Sequence, residues 1–316
     1  MPTDTWFTRL RRWLTGSSRS ESSSPSGDAK APATPRALAV RGREGVREGR
    51  SHYIEPNDER GIHRLDFQHF LLREAFGANY LAPLTQPRAI LDVGCGTGRW
   101  AMEMAQTFPQ ADVAGMDMDR PSKEYEAEHS ERPANYRFVL GNALDPLPFS
   151  DGAFDFVHMR FLSLGIPANR WPDVVRELVR VTAPGGFVEL VESVFPIDGG
   201  PAIEQGKTWI GQAIKARGVD LALSSQVGAF LRDAGLVDVT DREARLPVGS
   251  YGGKIGHLAA FDLLNAFRNI GTVLVGAGVM TQATLDAALK QADDDLHSDR
   301  YRCVWPVYAA YGRRTG

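Results

Sequence analysis

The residue pattern best suited to chemistry spans residues 88–100, Arg-Ala-Ile-Leu-Asp-Val-Gly-Cys-Gly-Thr-Gly-Arg-Trp. An apolar run, Ala89 to Val93, leads into Gly94-x-Gly96-x-Gly98 and then into a stretch with helical spacing. A strand, a turn without side chains and a helix N-terminus together make a place where a cofactor can lie against bare backbone. Dinucleotide sites use G-x-G-x-x-G; here the third glycine comes one residue early, and an acid, Asp92, stands near the strand's end. Asp117 follows nineteen residues after Gly98, at the end of the next apolar run, and Asn142-Ala143 follow the one after that. Read singly, a strand-terminal Asp caps a helix and an Asn makes a turn. Read together, three consecutive strand ends offer contacts to one ligand.

The elements that must position these residues alternate. Helical spacing runs through Leu65, Phe67, Phe70, Leu71 and Phe76, and again through Trp100, Ala101, Met104, Ala105 and Phe108. Strands are predicted at Ala89 to Val93, Asp112 to Met116, Arg137 to Leu140, Phe154 to His158 and Phe187 to Glu192, the last after a Pro184-Gly185-Gly186 turn. A helix from Pro172 to Val181 separates the last two. This order implies parallel βαβ units with helices on both sheet faces. Beyond it, a helix through Val227, Phe230 and Leu231 stops at Gly235, and strands are expected at Leu236 to Thr240 and Val307 to Tyr311. The second of these is begun after Pro306, which cannot donate to a ladder. Helical segments at about 255–270 and 283–296 swell the connection between these two strands, which finish the sheet like a hairpin.

Residues 89–100, 113–119, 136–160 and 184–192 resemble successive motifs of the class I methyltransferases that use S-adenosylmethionine. The stretch Asn142-Ala-Leu-Asp-Pro-Leu-Pro-Phe149, with Asp151-Gly-Ala-Phe-Asp155, is similar to that family's D-A-x-x-L-P-F-x-D-x-x-F-D, with Asn142 in place of the usual Asp. Tyr53-Ile-Glu-Pro-Asn-Asp-Glu59, Arg64-Leu65, Tyr80-Leu-Ala-Pro83, His158-Met-Arg160 and Trp305-Pro-Val-Tyr-Ala-Ala-Tyr-Gly312 resemble a subgroup that includes fungal regulators of secondary metabolism and bacterial methyltransferases. The resemblance covers about residues 51–313. It implies an α/β, Rossmann-like, doubly wound sheet of seven strands, mostly parallel with the last antiparallel, carrying a helical insert or lid. It also implies S-adenosylmethionine as cofactor. Gly94, Gly96 and Gly98 would let backbone approach its methionine and ribose, Asp92 would accept from its ammonium, and Asp117 with Met118 would hold the ribose. Asn142 and Ala143 would meet the adenine edge. Tyr53 and Arg64, ahead of the first motif, would contact the methionine end, a guanidinium suiting a carboxylate.

Methyl transfer from a sulfonium is an in-line displacement, for which the protein supplies alignment, exclusion of water and, for some acceptors, a base. His158 could deprotonate a hydroxyl, or be a strand-end imidazole bonded to backbone. Glu192 could orient an amine or hydroxyl, or be a surface carboxylate. Arg160 suits an acidic group or the cofactor better than it suits chemistry. Val157-His-Met-Arg-Phe161 stands where nucleobase amino methyltransferases carry Asn/Asp-Pro-Pro-Tyr/Phe, which argues against such substrates. Trp209, Ile210, Tyr251, Leu258 and Phe261 are candidates for an apolar wall over the methyl group. No metal-ligand spacing is present, Asp293-Asp-Asp295 reading as a solvated helix end, and no G-x-S-x-G elbow.

Composition bounds the rest. A net charge of −3 over 316 residues gives no electrostatic argument for nucleic acid. No uninterrupted apolar run approaches a membrane span. Cys95 and Cys303, the only cysteines, make no disulfide framework and favour a reducing compartment, read as the cytoplasm. Residues 16–50, rich in Ser, Pro, Gly and Arg, read as disordered. Ahead of them Trp6, Phe7, Leu10, Trp13 and Leu14 share a helical face beside Arg9, Arg11 and Arg12. That helix could lie weakly on an anionic membrane or a protein partner through residues 5–15, resembles a transit peptide, or is a frayed end. The division expected is an extension, 1–50, and one methyltransferase domain, 51–316, with a cofactor core at about 85–195 and lid elements at about 51–84 and 196–300. The function expected is methyl transfer to a small-molecule acceptor at O, N or C. The alternatives are a regulatory protein that binds the cofactor without turnover and, less well matched by the glycine spacing, a nicotinamide oxidoreductase.

Overall fold

The computed structural model describes residues 59–121, 125, 131–298 and 300–316. The extension 1–50 and Tyr53 lie outside the described residues. The elements are α1 (Glu59–Phe76), β1 (Ala89–Val93), α2 (Arg99–Thr107), β2 (Asp112–Asp117), β3 (Tyr136–Leu140), β4 (Phe154–Arg160), α3 (Trp171–Val181) and β5 (Thr182–Ser193). There follow α4 (Pro201–Lys215), α5 (Val227–Asp233), β6 (Val237–Pro247), α6 (Gly253–Gly276), α7 (Gln282–Leu296) and β7 (Val304–Arg313). The strands form one sheet in the order β3-β2-β1-β4-β5-β7-β6. β1 to β5 run parallel, and β7 is antiparallel to both β5 and β6. This is the seven-stranded doubly wound sheet expected.

Alternation along the strands sends side chains to two cores. Leu91, Val93, Val157 and Met159 pack with Trp171, Val174 and Leu178 of α3 and with Leu231 of α5. Ile90 and Phe156 face the other way, onto Trp100, Ala101 and Met104 of α2. A third apolar cluster joins α1, α4, α6 and α7 to β7. By length and hydropathy Ser250–Gly276 would cross a bilayer. Its apolar run is broken by polar residues, and it packs on α1, α4 and α7 with Asp262 fully buried.

Three strands differ most from expectation. β6 does not end at Thr240 but runs on to Pro247, because β7 pairs with it as far as Pro247↔Val304. β5 begins at Thr182 and runs through Pro184-Gly185-Gly186, because a bulge between the Phe154↔Thr182 and Phe156↔Phe187 pairings absorbs the turn residues without ending the strand. β7 includes Pro306. The β5 ladder stops at Ser193↔Val307, so Pro306 has only β6 beside it and takes an edge-like place where a missing N–H is tolerated. The helix α4 was not expected. Pro201 in its first turn and Ile203, Ile210 and Ile214 on its buried side were its signals.

Candidate active site

The glycine turn is held open by backbone geometry. Gly94, Gly96 and Gly98 have φ of 72°, 53° and 78°, the left-handed region that a Cβ disfavours. Gly94 and Cys95 both donate backbone N–H to the Met116 carbonyl, at 2.7 and 3.0 Å, pinning the turn to the end of β2. Space is short as well. A Cβ at Gly98 would fall 2.3 Å from the Tyr136 hydroxyl, and one at Gly94 would fall 2.6 Å from the Leu162 methyls.

Asp117 organises the same turn. Its Oδ2 accepts the Gly96 N–H at 2.8 Å and its Oδ1 the Asp119 N–H at 3.2 Å, while the Met118 N–H also faces the carboxylate. Burial pushes its pKa up, against those hydrogen bonds. Both oxygens keep lone pairs for further donors, as two ribose hydroxyls require. Asn142 spends its side-chain oxygen on the Leu144 N–H at 2.9 Å, so the half-buried Asn142-Ala143 stretch presents a rigid Asx turn at the end of β3.

Asp92 and His158 form a buried pair across β1 and β4. His158 Nδ1 donates to Asp92 Oδ1 at 2.8 Å, and the imidazole stacks on Trp100 with ring centroids 3.9 Å apart. Burial lowers the His158 pKa despite Asp92, so the ring is neutral near pH 7. Its partner is thus a carboxylate rather than the backbone. Arg160 points to the same interior, where Nη1 donates to His69 Nδ1 at 3.3 Å. His69 Nε2 in turn lies 3.0 Å from Glu103, a carboxylate that also accepts from Arg73 and Asn79.

Glu192 is not on the surface. It is fully buried and accepts three hydrogen bonds, from Leu162 N at 2.9 Å, Ser163 N at 3.2 Å and Ser163 Oγ at 2.7 Å. Burial raises its pKa to about 7. The turn it clamps includes Phe161, whose φ of 53° is unusual for a residue with a side chain. One side of this turn, Leu162, abuts Gly94; the next residue, Ser163, lines a cleft of about 680 Å³. The cleft is bounded by α1, α4, α6 and the segments after β4 and β5.

Arg64 lies at the polar side of that cleft. It pairs with buried Asp262 of α6 at 3.4 Å, beside Gln68, which donates to the same carboxylate. Sequence reading missed Asp262, which is 198 positions from Arg64 and has no local signal. It also missed Asp66, whose two oxygens accept from Thr97 in the glycine turn and from Tyr125, each at 2.7 Å, and so fasten α1 over the turn. The five expected apolar wall residues do not form one surface. Ile210 lines the cleft and Trp209 an adjoining cavity, whereas Leu258 is core, Phe261 is packed edge-on to Phe67 at the surface, and Tyr251 donates to the Cys303 carbonyl. Asp295 is buried rather than solvated. Among the described residues no group of three or more His, Cys, Asp or Glu could hold a metal ion.

The donor set fits S-adenosylmethionine: a side-chain-free turn for close backbone approach, an acid at the end of β2 for a diol, and an acid on β1 for an ammonium. Comparison with known proteins points the same way. The sequence profile of the methyltransferase domain matches residues 90–186, from β1 into β5. Methyltransferase str2 of Strobilurus tenacellus is 31% identical over 205 residues, 62% of this chain and 71% of its own length. N-methyltransferase sirN of Leptosphaeria maculans is 28% identical over 273 residues, 81% of this chain and 94% of that protein. The secondary metabolism regulator LAE1 of Cochliobolus heterostrophus is 26% identical over 217 residues, 64% and 68% of the two chains. With the glycine turn, the strand-end acids and the seven-stranded sheet in the register such enzymes need, the chain belongs to the class I S-adenosylmethionine-dependent methyltransferases.

Proposed function

We propose that the chain methylates a small-molecule acceptor held in the cleft beside the glycine turn. The observation that carries this reading is contiguity. Phe161-Leu162-Ser163 is one turn with Leu162 against Gly94 on the cofactor side and Phe161 and Ser163 in the cleft wall. The cleft and the cofactor cradle thus share this turn as a common edge, so that an acceptor at that edge would lie beside the cofactor.

S-adenosylmethionine supplies a methyl group already activated on a sulfonium, so the chain's own work is alignment and exclusion of water. Gly94, Gly96 and Gly98 provide the close backbone approach, Asp117 with Met118 the ribose side, and Asn142-Ala143 the adenine side. Asp92, oriented by His158, would accept from the ammonium. His158 is accordingly a positioning residue, since its Nδ1–H is committed to Asp92 and its ring to Trp100. Glu192 likewise acts through the turn it clamps, fixing where Ser163 and Phe161 stand. Arg64, neutralised by Asp262, gives the cleft a polar edge with little net charge.

The test is incubation with methyl-labelled S-adenosylmethionine and a cell extract, followed by separation of small molecules from protein and nucleic acid. Label among small molecules is the expected result. Label in macromolecules alone would overturn the acceptor class and leave the reaction in place.

A further inference from the structure

Two cavities meet at one aromatic ring. The cleft beside the glycine turn has its polar groups, Arg64, Gln68, Ser163 and Ser193, on α1 and just past the ends of β4 and β5. Its remaining wall is apolar, including Phe195, Leu263, Ile270 and Trp305. Behind it, between α4, α6 and α7, lies a second, narrower recess lined by residues such as Trp209, Leu274, Leu285 and Leu289. Among the described residues no charged side chain and no hydroxyl lines that second space. Ile210 and Phe267 line both.

The partition is built rather than incidental. Gly206 sits inside α4 and Gly271 inside α6, positions where glycine costs a helix about 1 kcal/mol relative to alanine. Both are occupied by a neighbour's side chain. A Cβ at Gly206 would come 2.6 Å from Cε2 of Phe267, and one at Gly271 would come 2.3 Å from Cδ1 of Leu285. The Phe267 ring is thus seated on bare helix backbone, directly between the two spaces.

Building on the methyltransferase reading, we propose that the acceptor is amphipathic, with a polar end at Ser163 and Ser193 and a long apolar body running toward α7, and that Phe267 on its Gly206 seat sets how long a body is accepted. A polar or charged acceptor would leave its groups unpaired against this wall, at a cost no residue there offsets. An apolar one gains with each methylene buried, about fourfold in affinity, until its end meets the ring. Rotation or removal of the ring joins the second space to the first.

The experiment is calorimetric titration of 4-alkylphenols, from ethyl to dodecyl, into the full chain saturated with S-adenosylhomocysteine. In the wild type, affinity climbs about fourfold per methylene and then levels at a definite length. Phe267→Ala moves that break to longer chains. Gly206→Ala, whose methyl displaces the ring, shifts the break from the wild-type length as well, and decides the matter if Phe267→Ala does not fold. Affinity independent of chain length would overturn the apolar acceptor, and one break common to all three proteins would overturn the role of Phe267. The first titration, of S-adenosylhomocysteine alone, separates the two readings: no binding there would sink the methyltransferase assignment, while the alkylphenol series would still judge the cavity.

Discussion

Asp117 carries two jobs in one carboxylate, and substitutions can separate them. It ties the glycine turn through Gly96 N–H and keeps acceptor capacity for a diol. Asp117→Asn preserves an oxygen for Gly96 but loses the charge and turns an amide N–H toward the Asp119 N–H, so S-adenosylhomocysteine affinity should fall about tenfold, roughly 1.5 kcal/mol, with a smaller loss of stability than Asp117→Ala shows. Asp117→Ala should lose both, adding about 1–2 kcal/mol of destabilisation in urea. Equal calorimetric affinity for wild type and Asp117→Asn would remove Asp117 from the cofactor site. Gly98 offers a second residue-scale test. Alanine there must hold a φ of 78° and meet the Tyr136 hydroxyl at 2.3 Å. Gly98→Ala should cost more than about 2 kcal/mol, the left-handed penalty plus a clash. Adding Tyr136→Phe should return part of that loss, and a strictly additive double mutant would show that the hydroxyl is not what the methyl meets.

At the scale of elements, the clamp from β5 to the turn after β4 is the device with the clearest consequence. Glu192 accepts two backbone N–H groups and one hydroxyl while fully buried. Glu192→Ala leaves those donors unmatched, at about 1–3 kcal/mol for each group that finds no other partner. The expected outcome is a lower denaturation midpoint and a reduced kcat, with S-adenosylhomocysteine binding within about threefold of wild type, since Leu162 rather than Glu192 meets the glycine turn. An unchanged midpoint would show that the turn holds itself. The strands and helices on either side of this clamp were legible in the sequence because their residues alternate or recur locally: Ala89 to Val93 matches β1 residue for residue, and Gly235, at φ 85°, ends the α5 segment as its type implies. What local pattern could not give was partner-dependent. β5 continues through Pro-Gly-Gly because β4 accommodates a bulge, and β7 keeps Pro306 because β5 has already ended. The clamp itself escaped for the same reason. Glu192 looks like any strand-end acid until the turn 29 and 30 positions away folds onto it.

For the whole molecule, the same limit governs charge. The Arg64–Asp262 pair and the Glu189 contacts join parts of the chain 198 and about 107 positions apart, and no spacing rule reaches that far. Glu189 is almost fully buried, and its Oε2 accepts both Leu81 N–H at 2.7 Å and Ala82 N–H at 2.8 Å, tying the segment before β1 to the middle of β5. Burial raises its pKa to about 7 from an ordinary 4.5. A carboxyl whose folded pKa is raised binds its proton more tightly in the folded state. Its contribution to stability is therefore full below about pH 4.5 and is lost as pH rises to about 7, a change of about 3 kcal/mol. Glu192, raised to about 7 as well, acts in the same direction. His69 and His158, whose pKa values burial lowers, act oppositely, losing stability as pH falls below the ordinary imidazole value. The wild-type profile is thus a compromise, and only a difference isolates one group. Glu189→Gln keeps a carbonyl oxygen for both N–H donors and removes the proton. Subtracting its urea-unfolding free energies from those of the wild type between pH 4.5 and 8 should give a curve that falls with rising pH and flattens above about 7. A flat difference would mean that Glu189 stays ionised at all these pH values, and that its two backbone donors outweigh its burial.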